Sequence, residues 1–320
     1  MITVLMATHN GADTLPQVLE AYCKLDPPNH EWRLIVVDNG STDRTKDVIG
    51  SFKSNLPLTY VYEPKLGKNV ALNAGLLHAH GDFMVMTDDD AVPKPDWLLQ
   101  MCLAADSQPS FSIFGGAIVP QWEVPPKDWI LKWQYSTLGI THPDWDEGPI
   151  PAVRVYGANM AVRAEVINAG YRFNTSIGSV GSRYRRGGET DFVERLEKAG
   201  FRAWHCKRAV SAHMILKDQM TRKWVLRGAM ASGSADYRRE FKAYPKSSAL
   251  LFGFPRYMIR EILTQATDLI TARFIQDADT AFNERWRLHY LIGRAISARS
   301  LYNEWQNSNQ ASPFKRLRSS

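Results

Sequence analysis

The stretch that decides the fold is residues 83–90, which read FMVMTDDD. A short, nearly continuous apolar run is typical of a strand buried on both faces of a parallel sheet. Three carboxylates end the run abruptly, so the strand is expected to stop where the chain becomes acidic. The same pattern occurs twice earlier, where apolar residues 2–7 lead into Thr8 and Asn10 and residues 33–37 lead into Asp38.

Helical periodicity fills the segments between these strands. Apolar residues recur at helical spacing over 13–25, a second helix runs through about Phe52, and a third covers 68–80, after a strand over 58–62. Alternation of strand and helix from the first residue is typical of a parallel sheet covered by helices on both faces. We therefore predict an α/β fold that is Rossmann-like, with a mostly parallel sheet.

The second half of the chain is less regular. Residues 120–155 are rich in Trp and Pro and predict a long irregular insertion, and loops of this kind usually serve a site. Residues 159–170 and 188–200 are predicted to be helical, and from about Thr221 the pattern is mainly helical. The predicted domains are a catalytic α/β domain over 1–220 and a helical C-terminal region over 221–320.

Basic charge is concentrated in that C-terminal region. The chain has a net charge of +6, yet 18 basic and only 9 acidic residues lie between Lys217 and the C-terminus. Apolar residues at helical spacing from Leu250 to Ile262 alternate with Arg256 and Arg260. A basic amphipathic helix predicts an anionic membrane surface as partner. The alternative is that its apolar face packs on the catalytic domain; no nucleic-acid partner is expected.

Cysteine content and hydropathy indicate the compartment. Cys23, Cys102 and Cys206 are far apart and form no CxxC pair, which favours a reducing compartment and argues against a disulfide framework or a zinc site. No signal peptide and no run of about 18 apolar residues is recognisable. We predict a cytoplasmic protein, with peripheral attachment to the cytoplasmic face of a membrane as the extension that the basic region suggests.

Polar groups at strand ends predict a ligand site. Ligands of open α/β sheets bind at the carboxyl ends of the strands, so Thr8, Asn10, Asp38 and the triplet 88–90 should converge on one crevice. The first strand is not followed by GxGxxG, and no GxxxxGK[ST] occurs anywhere in the chain. The two commonest nucleotide-binding fingerprints are therefore absent.

The acidic triplet predicts a metal site. If strand geometry continues, Asp88 and Asp90 point to one side and Asp89 to the other. Two carboxylates on one side repel each other unless a cation lies between them, and oxygen ligands favour Mg²⁺ or Mn²⁺, which typically share ligands with a diphosphate. The alternative is an acidic turn before a helix, but the buried strand that precedes it favours the metal.

Asp38 has two interpretations. A carboxylate at a strand end can accept hydrogen bonds from a base or a ribose hydroxyl. The alternative is a tight turn followed by a helix N-cap at Ser41 or Thr42, which the spacing also allows. The two interpretations are compatible, with Asp38 for the ligand and Ser41 or Thr42 for the cap.

Three further positions carry chemistry. Lys68 follows Gly67 at a helix N-terminus, which suits phosphate, although a surface loop would read the same. A helix begins at Glu189 and Asp191, after a basic run at Arg183, Arg185 and Arg186. Carboxylates in the first turn interact favourably with the helix dipole, which is the structural interpretation. The functional interpretation is that a carboxylate there acts as a general base. His213 follows a strand-like segment, and a lone histidine is more often structural than a ligand.

Taken together, these residues resemble the family 2 glycosyltransferases, which have the GT-A fold. The resemblance covers about residues 2–230. It is specific because all of the motifs occur in the order that the family has. The matching segments are 8–10, 37–43, 67–75, 79–82, 88–97, 157–160 and 188–200.

The resemblance implies transfer of a sugar from a nucleotide-sugar donor, usually a UDP-sugar, to a hydroxyl of a glycan or a lipid-linked saccharide, with inversion. Asp38 would read the base, and Asp88 and Asp90 match the DxD motif that holds the Mn²⁺ or Mg²⁺ diphosphate, with His213 as a further metal ligand. The residues implied in donor binding are Thr8, Asn10, Asp38, Lys68, Asp88 and Asp89.

The predicted base rests on a departure from the family pattern. The family usually reads Glu-Asp-x-Asp before Arg-Leu. Counting back from Arg195 places Glu189 at the base position and Asp191 at the next acidic one, whereas counting forward from the glycine pair places Thr190 there. We favour the backward count because the helix fixes its register.

Two other functions remain as alternatives. A sugar-phosphate nucleotidyltransferase shares the sheet and the acidic site, but it carries a Gly-rich loop with a basic pair after the first strand, where this chain reads THNG at 8–11. A non-catalytic nucleotide-sugar-binding module is the other, and the joint presence of Asp38, Asp88, Asp90 and Glu189 argues against it.

Overall fold

A computed structural model describes residues 1–178, 187–241, 250–251, 253–275 and 277–310. The described residues divide into two compact units. The first comprises 1–178 and 188–219, and the second comprises Gly187 and the residues from Met220 onward. The basic run at Arg183, Arg185 and Arg186 lies outside the described residues.

A nine-stranded sheet forms the centre of the first unit. Its strand order is β3-β2-β1-β4-β8-β6-β9-β5, and β7 pairs with β9. Strands β1 to β4 pair in parallel, and β8 runs antiparallel to both β4 and β6. The strands are β1 (Ile2–Thr8), β2 (Trp32–Asp38), β3 (Leu58–Tyr62), β4 (Phe83–Asp88), β5 (Ala91–Pro93), β6 (Ile113–Trp122), β7 (Gly148–Ile150), β8 (Asn159–Arg163) and β9 (Ala203–Ile215).

Helices cover both faces of this sheet, and the side chains of β1 point alternately into the two cores that result. Val4 and Met6 pack in one core with Trp97, and Leu5 packs in the other with Phe192. This arrangement confirms the predicted α/β fold. The helices are α1 (Leu15–Tyr22), α2 (Thr45–Ser51), α3 (Lys68–Leu76), α4 (Trp97–Ser107), α5 (Asp128–Leu131), α6 (Gln134–Thr137), α7 (Ala164–Asn168) and α8 (Gly188–Lys198), with 3₁₀ turns at Ala152–Arg154 and Lys217–Met220.

The helix predicted over residues 159–170 is wrong in its first half. Asn159–Arg163 is strand β8, which lies between β4 and β6, and only Ala164–Asn168 is helical. The first four residues of β8 are buried, so the segment shows no alternation. Periodicity alone cannot separate a short buried strand from a buried helical turn.

The 120–155 insertion is more regular than its composition predicts. It contains α5, α6 and β7, and β7 pairs antiparallel with β9. Thr141 fixes the insertion to the sheet, because its hydroxyl accepts from the Ile118 amide at 2.9 Å and its own amide donates to the Ile118 carbonyl at 3.1 Å.

One buried amide joins four parts of the first unit. Asn159 is fully buried; its Oδ1 accepts from Trp97 Nε1 at 2.8 Å, and its Nδ2 donates to the carbonyls of Ala117 and Ala209 at 2.9 and 2.8 Å. Gly116 allows this approach, since a Cβ there would lie 2.3 Å from Asn159 Nδ2.

We expect Asn159→Leu to lower the free energy of unfolding by at least about 3 kcal/mol, because three buried groups lose their partner and each costs about 1–3 kcal/mol. Urea denaturation of the full chain measures the change. Asn55→Leu is the control, since Asn55 is exposed and the change there should stay within about 0.5 kcal/mol. Equal effects at the two positions would contradict this account of the network.

The second unit is helical. It comprises α9 (Arg222–Glu240), the short hairpin β10 (Leu250–Leu251) and β11 (Phe254–Pro255), α10 (Arg256–Ile275) and α11 (Ala278–Gln310). Helices α9 and α11 touch through two glycines: a Cβ on Gly233 would lie 2.0 Å from the Tyr290 carbonyl oxygen, and one on Gly293 would lie 2.0 Å from that of Met230. Backbone contact this close is possible only for residues without a side chain.

The apolar face predicted over Leu250–Ile262 is not the membrane-facing helix that its spacing suggests. Residues 250–255 form the hairpin, and Met258 is buried in a cluster against which Phe254 and Ile262 pack. The cluster belongs to the second unit, so Met258, Phe254 and Ile262 pack within the helical region itself, whereas Leu251 and Tyr257 of the predicted face are exposed. Other apolar side chains of α10 are exposed, namely Leu263, Ile270 and Phe274. Among the helices that the structure describes, none combines the length and apolar character needed to cross a bilayer.

Candidate active site

The carboxyl ends of three strands meet at one edge of the sheet. In the register of the sheet, Thr8 of β1 lies beside Asp38 of β2, and Ala7 lies beside Asp88 of β4. The polar groups that follow these strands are therefore neighbours. All the residues described below belong to the first unit.

Lys68 joins two carboxylates at this edge. Its Nζ lies 2.6 Å from Asp88 Oδ1 and 2.5 Å from Glu189 Oε1. Lys68 begins α3 and Glu189 lies in the first turn of α8, so the N-termini of two helices bring the ion triad together. The sequence suggested a phosphate contact for Lys68 and gave no indication of this bridge.

The triad shifts the pKa values of its members. Burial alone would lower the pKa of Lys68, but the charges of Asp88 and Glu189 raise it well above its ordinary value. Burial would raise the pKa of Glu189, but the Lys68 ammonium holds it below the usual range. Burial raises the pKa of Asp88. The Lys68 charge lowers it, but the charges of Asp90 and Glu189 raise it further, and the net shift is upward. Glu189 is thus held in its ionised form by Lys68.

Two loop residues position this triad. A Cβ on Gly157 would lie 2.4 Å from Glu189 Cγ, so only glycine leaves room for the glutamate. Asn39 holds the segment before α3, because its Nδ2 donates to the carbonyls of Glu63 and Lys65 and its Oδ1 accepts from the Gly67 amide at 2.7 Å. Gly157 and Asn39 lie in two of the segments that match the family, 157–160 and 37–43, but their partners are distant in sequence.

Asp89 turns away from its two neighbours toward β1. Thr8 Oγ1 donates to Asp89 Oδ2 at 2.5 Å. Burial raises the pKa of Asp89 to about 7, and the nearby Asp90 charge adds to the effect while the Thr8 bond opposes it. Thr8 and Asp89 are therefore a hydrogen-bonded pair within the site.

Asp90 and His213 form a second ion pair. His213 Nε2 lies 3.2 Å from Asp90 Oδ2, and its Nδ1 lies 2.8 Å from the Leu138 carbonyl oxygen. Burial would lower the pKa of His213, but the Asp90 carboxylate outweighs it and the pKa rises to about 9. Leu138 belongs to the 120–155 insertion, so that segment does contact the site.

The donors at this edge fit a divalent cation only in part. Asp90 Oδ1 is buried and has no hydrogen-bond partner within the described part of the chain. Among those residues, no group of three or more His, Cys, Asp or Glu side chains is arranged around a common metal position. Carboxylate oxygens with one imidazole suit Mn²⁺ or Mg²⁺, and an ion here would take its remaining ligands from a diphosphate and water.

Asp38 is already bonded within the protein. It is 2% exposed; its Oδ1 accepts from the Ser41 amide at 3.0 Å and its Oδ2 accepts from the Tyr60 hydroxyl at 2.9 Å. A carboxylate oxygen has two acceptor sites, so each can take one further bond. Burial, and then the hydrogen bond to Asp38 and the charge of that carboxylate, raise the pKa of Tyr60 to about 12, so Tyr60 stays a donor.

The predicted N-cap at Ser41 or Thr42 is wrong. Helix α2 begins at Thr45, and no side chain of its preceding residue caps it. Ser41 Oγ instead accepts from the backbone amide of Asn10 at 2.9 Å, and the backbone amide of Thr42 donates to the side-chain Oδ1 of Asn10 at 2.8 Å. Asn10 has a φ of 55°, a left-handed conformation that asparagine tolerates, and it ties the loops after β1 and β2 together.

Asp191 has a different partner from Glu189. Arg195 Nε donates to Asp191 Oδ2 at 2.8 Å, and Arg195 Nη2 donates to the Arg172 carbonyl at 2.7 Å. Asp191 is buried, so this pair anchors α8 to the segment after α7. The structure thus brings Glu189 to Lys68 and Asp88, whereas Asp191 is engaged in a structural ion pair.

Two asparagines of α3 are anchors that were not predicted from the sequence. Asn69 Nδ2 donates to the carbonyls of Asn174 and Ile177, and Asn73 exchanges two hydrogen bonds with Phe173. Their four-residue spacing on one helix face was the available signal.

The large sheet with helices on both faces and the helical C-terminal region match solved structures of the GT-A class. A solved mannosyltransferase from Pyrobaculum calidifontis, in complex with GDP-Man and Mn²⁺, matches 93% of this chain and 86% of its own, with a TM-score of 0.59 at 20% identity. TarS of S. aureus in complex with UDP-GlcNAc matches 96% of this chain and 92% of its own, with a TM-score of 0.53 at 14% identity. At these identities the likeness establishes the fold.

The chain belongs to glycosyl transferase family 2, whose model matches residues 3–170. Among curated relatives, the glucosyl-dolichyl phosphate glucuronosyltransferase of Haloferax volcanii is 23% identical over 60% of this chain and 62% of its own length. The succinoglycan biosynthesis protein ExoM of Rhizobium meliloti is 23% identical over 70% of each chain. The match thus spans less than two thirds of the first of these relatives. The predicted family and fold are confirmed.

Proposed function

We propose that this protein is a metal-dependent, inverting glycosyltransferase that moves a sugar from a nucleotide-sugar, a UDP-sugar, to a hydroxyl of a glycan or a lipid-linked saccharide. The observation that carries the proposal is the Lys68 bridge between Asp88 and Glu189. The bridge joins a carboxylate of α8 to the acidic strand end that suits a metal–diphosphate, which supports a base and a leaving-group site within one crevice.

The residues have separate roles in this mechanism. Glu189 accepts the proton of the acceptor hydroxyl as that oxygen bonds to the anomeric carbon and the bond to the diphosphate breaks. A cation held by Asp88 and Asp90, with His213 paired to Asp90, would neutralise charge on the departing diphosphate. Lys68 provides a second positive charge beside Asp88, and Asp38 is proposed to accept a hydrogen bond from the base. Attack opposite to the leaving group inverts the anomeric centre.

Two of the predicted donor contacts have supporting roles. Thr8 holds Asp89 at the strand end, and Asn10 fixes the loop that follows Asp38. We propose that these two residues shape the nucleotide site. Asp191 is proposed to support catalysis by holding α8, the helix that carries Glu189, because its carboxylate is bonded to Arg195.

Incubation of the full chain with a panel of radiolabelled nucleotide sugars and Mn²⁺ tests the function. Release of free sugar or labelled glycan supports a glycosyltransferase. A parallel incubation with a sugar phosphate and a nucleoside triphosphate that forms a nucleotide sugar would instead establish a nucleotidyltransferase. Binding without any turnover across the panel would favour the binding module.

We also propose peripheral attachment to an anionic, cytoplasmic membrane surface. The support is the basic second unit together with three exposed apolar residues of α10, of which Phe274 is 85% exposed. All three cysteines are unpaired, which supports a reducing compartment.

Flotation with anionic liposomes is expected to carry the full chain upward at low salt and to lose it as salt rises. Phe274→Ser should weaken flotation, because the most exposed apolar side chain of α10 is removed. Leu77→Ser is the matched control, since Leu77 is 75% exposed in the first unit. Protein that stays at the bottom of the gradient at low salt would refute the attachment.

A further inference from the structure

Tyr60 of β3 holds the carboxylate of Asp38 from one side. Its hydroxyl donates to Asp38 Oδ2 at 2.9 Å, while the Ser41 backbone amide donates to Asp38 Oδ1 at 3.0 Å. One protein donor therefore fixes each carboxylate oxygen, and the two contacts together set the plane of the carboxylate. The segments that match the family on either side, 37–43 and 67–75, do not include Tyr60.

The ring of Tyr60 is a rigid support for that hydroxyl. It packs against the core that contains Val36, the residue opposite Tyr60 in the register of β2 and β3. Burial, and then the bond to Asp38, raise the pKa of Tyr60 to about 12, so the hydroxyl keeps its proton. A packed ring and a protonated hydroxyl together fix the position of the donor.

Asp38 leaves little room for a ligand. It is 2% exposed, and each of its oxygens has one acceptor site left beside its protein donor. A base can reach the carboxylate only along a narrow approach, and hydrogen bonds weaken steeply when donor and acceptor are misaligned. The orientation that Tyr60 imposes on Asp38 therefore decides whether a good bond to a base can form.

We propose that Tyr60 is a positioning residue for nucleobase recognition, which makes the site prefer uracil to cytosine by orienting Asp38. Uracil presents an N3–H donor that an ionised carboxylate accepts, whereas cytosine presents a lone pair at N3 that the carboxylate repels. The inference rests on the role proposed for Asp38 in donor binding and adds the residue that sets its discrimination.

Calorimetry on the full chain with UDP and with CDP, both with Mn²⁺ present, measures this preference. The unaltered protein is expected to bind UDP at least about tenfold more tightly than CDP. Tyr60→Phe should weaken UDP binding about tenfold, the lower end of what a hydrogen bond to a charged group contributes, and change CDP binding less than about twofold. A merely structural loss would weaken both nucleotides alike, because they share the ribose and the diphosphate.

Tyr62→Phe is the matched control. Tyr62 lies two residues further along β3, on the same face as Tyr60, and it is 56% exposed. The substitution removes the same hydroxyl and keeps the ring, so both affinities should change less than about twofold. Thermal melting verifies that both variants fold.

A double-mutant cycle tests whether Tyr60 acts through Asp38. In the Asp38→Asn background, Tyr60→Phe should change the ratio of UDP to CDP affinity by less than about twofold, because the carboxylate that Tyr60 orients is no longer there. An undiminished effect in that background would mean that Tyr60 contacts the base itself and would overturn the positioning role.

Two other results distinguish this role from the donor assignment. If the unaltered protein binds UDP no more tightly than CDP, the proposed contact of Asp38 with the base is wrong, and the role of Tyr60 falls with it. If UDP is clearly preferred and Tyr60→Phe leaves the preference unaltered, only the role of Tyr60 is refuted.

Discussion

Glu189→Gln is expected to lower kcat by about 10²–10⁴-fold and to leave donor affinity nearly unchanged. The amide keeps the shape of the side chain but cannot take the acceptor proton, and loss of a general base typically costs that much. Single-turnover measurement with the donor identified by the panel gives the rate, and calorimetry gives the donor affinity.

Asp191→Asn is the matched control for this prediction. It alters a carboxylate two residues away on the same helix, whose partner is Arg195, so it should affect stability more than chemistry. A larger loss of kcat in Asp191→Asn than in Glu189→Gln would contradict the assignment and make Asp191 the base.

Lys68→Met provides an independent test of the same assignment through pH. Lys68 holds the pKa of Glu189 down, so its removal should raise that pKa. The base is active only when ionised, and the acidic limb of the rate profile should therefore move to higher pH. An unmoved limb would show that Glu189 does not set it.

Asp90→Asn is expected to abolish the Mn²⁺-dependent binding of a nucleoside diphosphate. The variant removes the charge of the carboxylate whose Oδ1 is buried without a partner among the described residues, and it also breaks the ion pair with His213. Calorimetry with UDP, with and without Mn²⁺, measures the dependence, and the metal-free affinity shows how much binding the protein supplies by itself.

The control for Asp90→Asn is Asp47→Asn, an exposed carboxylate of α2 that should leave the affinity unaltered. Thermal melting separates loss of the site from loss of folding. If Asp90→Asn binds UDP with Mn²⁺ as tightly as the unaltered protein, the metal site must be removed from the mechanism.

The sequence by itself determined the α/β core and the edge at which its polar groups collect. Strands β1, β2 and β4 are buried on both faces, so their apolar runs are continuous and end where the first polar group leaves the sheet. These are local properties that can be read along one segment. Strand β8 escaped the same reasoning because its four buried residues are too few to show a distinctive period.

Only the tertiary structure decided which charges are partners. Lys68 meets Glu189, and Asp90 meets His213 although 123 positions separate them. The same holds for the apolar residues around Met258, whose spacing predicts a membrane-facing helix although Met258 packs in a core of the second unit. Periodicity specifies that a helix has an apolar face, whereas what covers that face, and which ion lies opposite a given carboxylate, depends on chain segments that only the folded protein brings together.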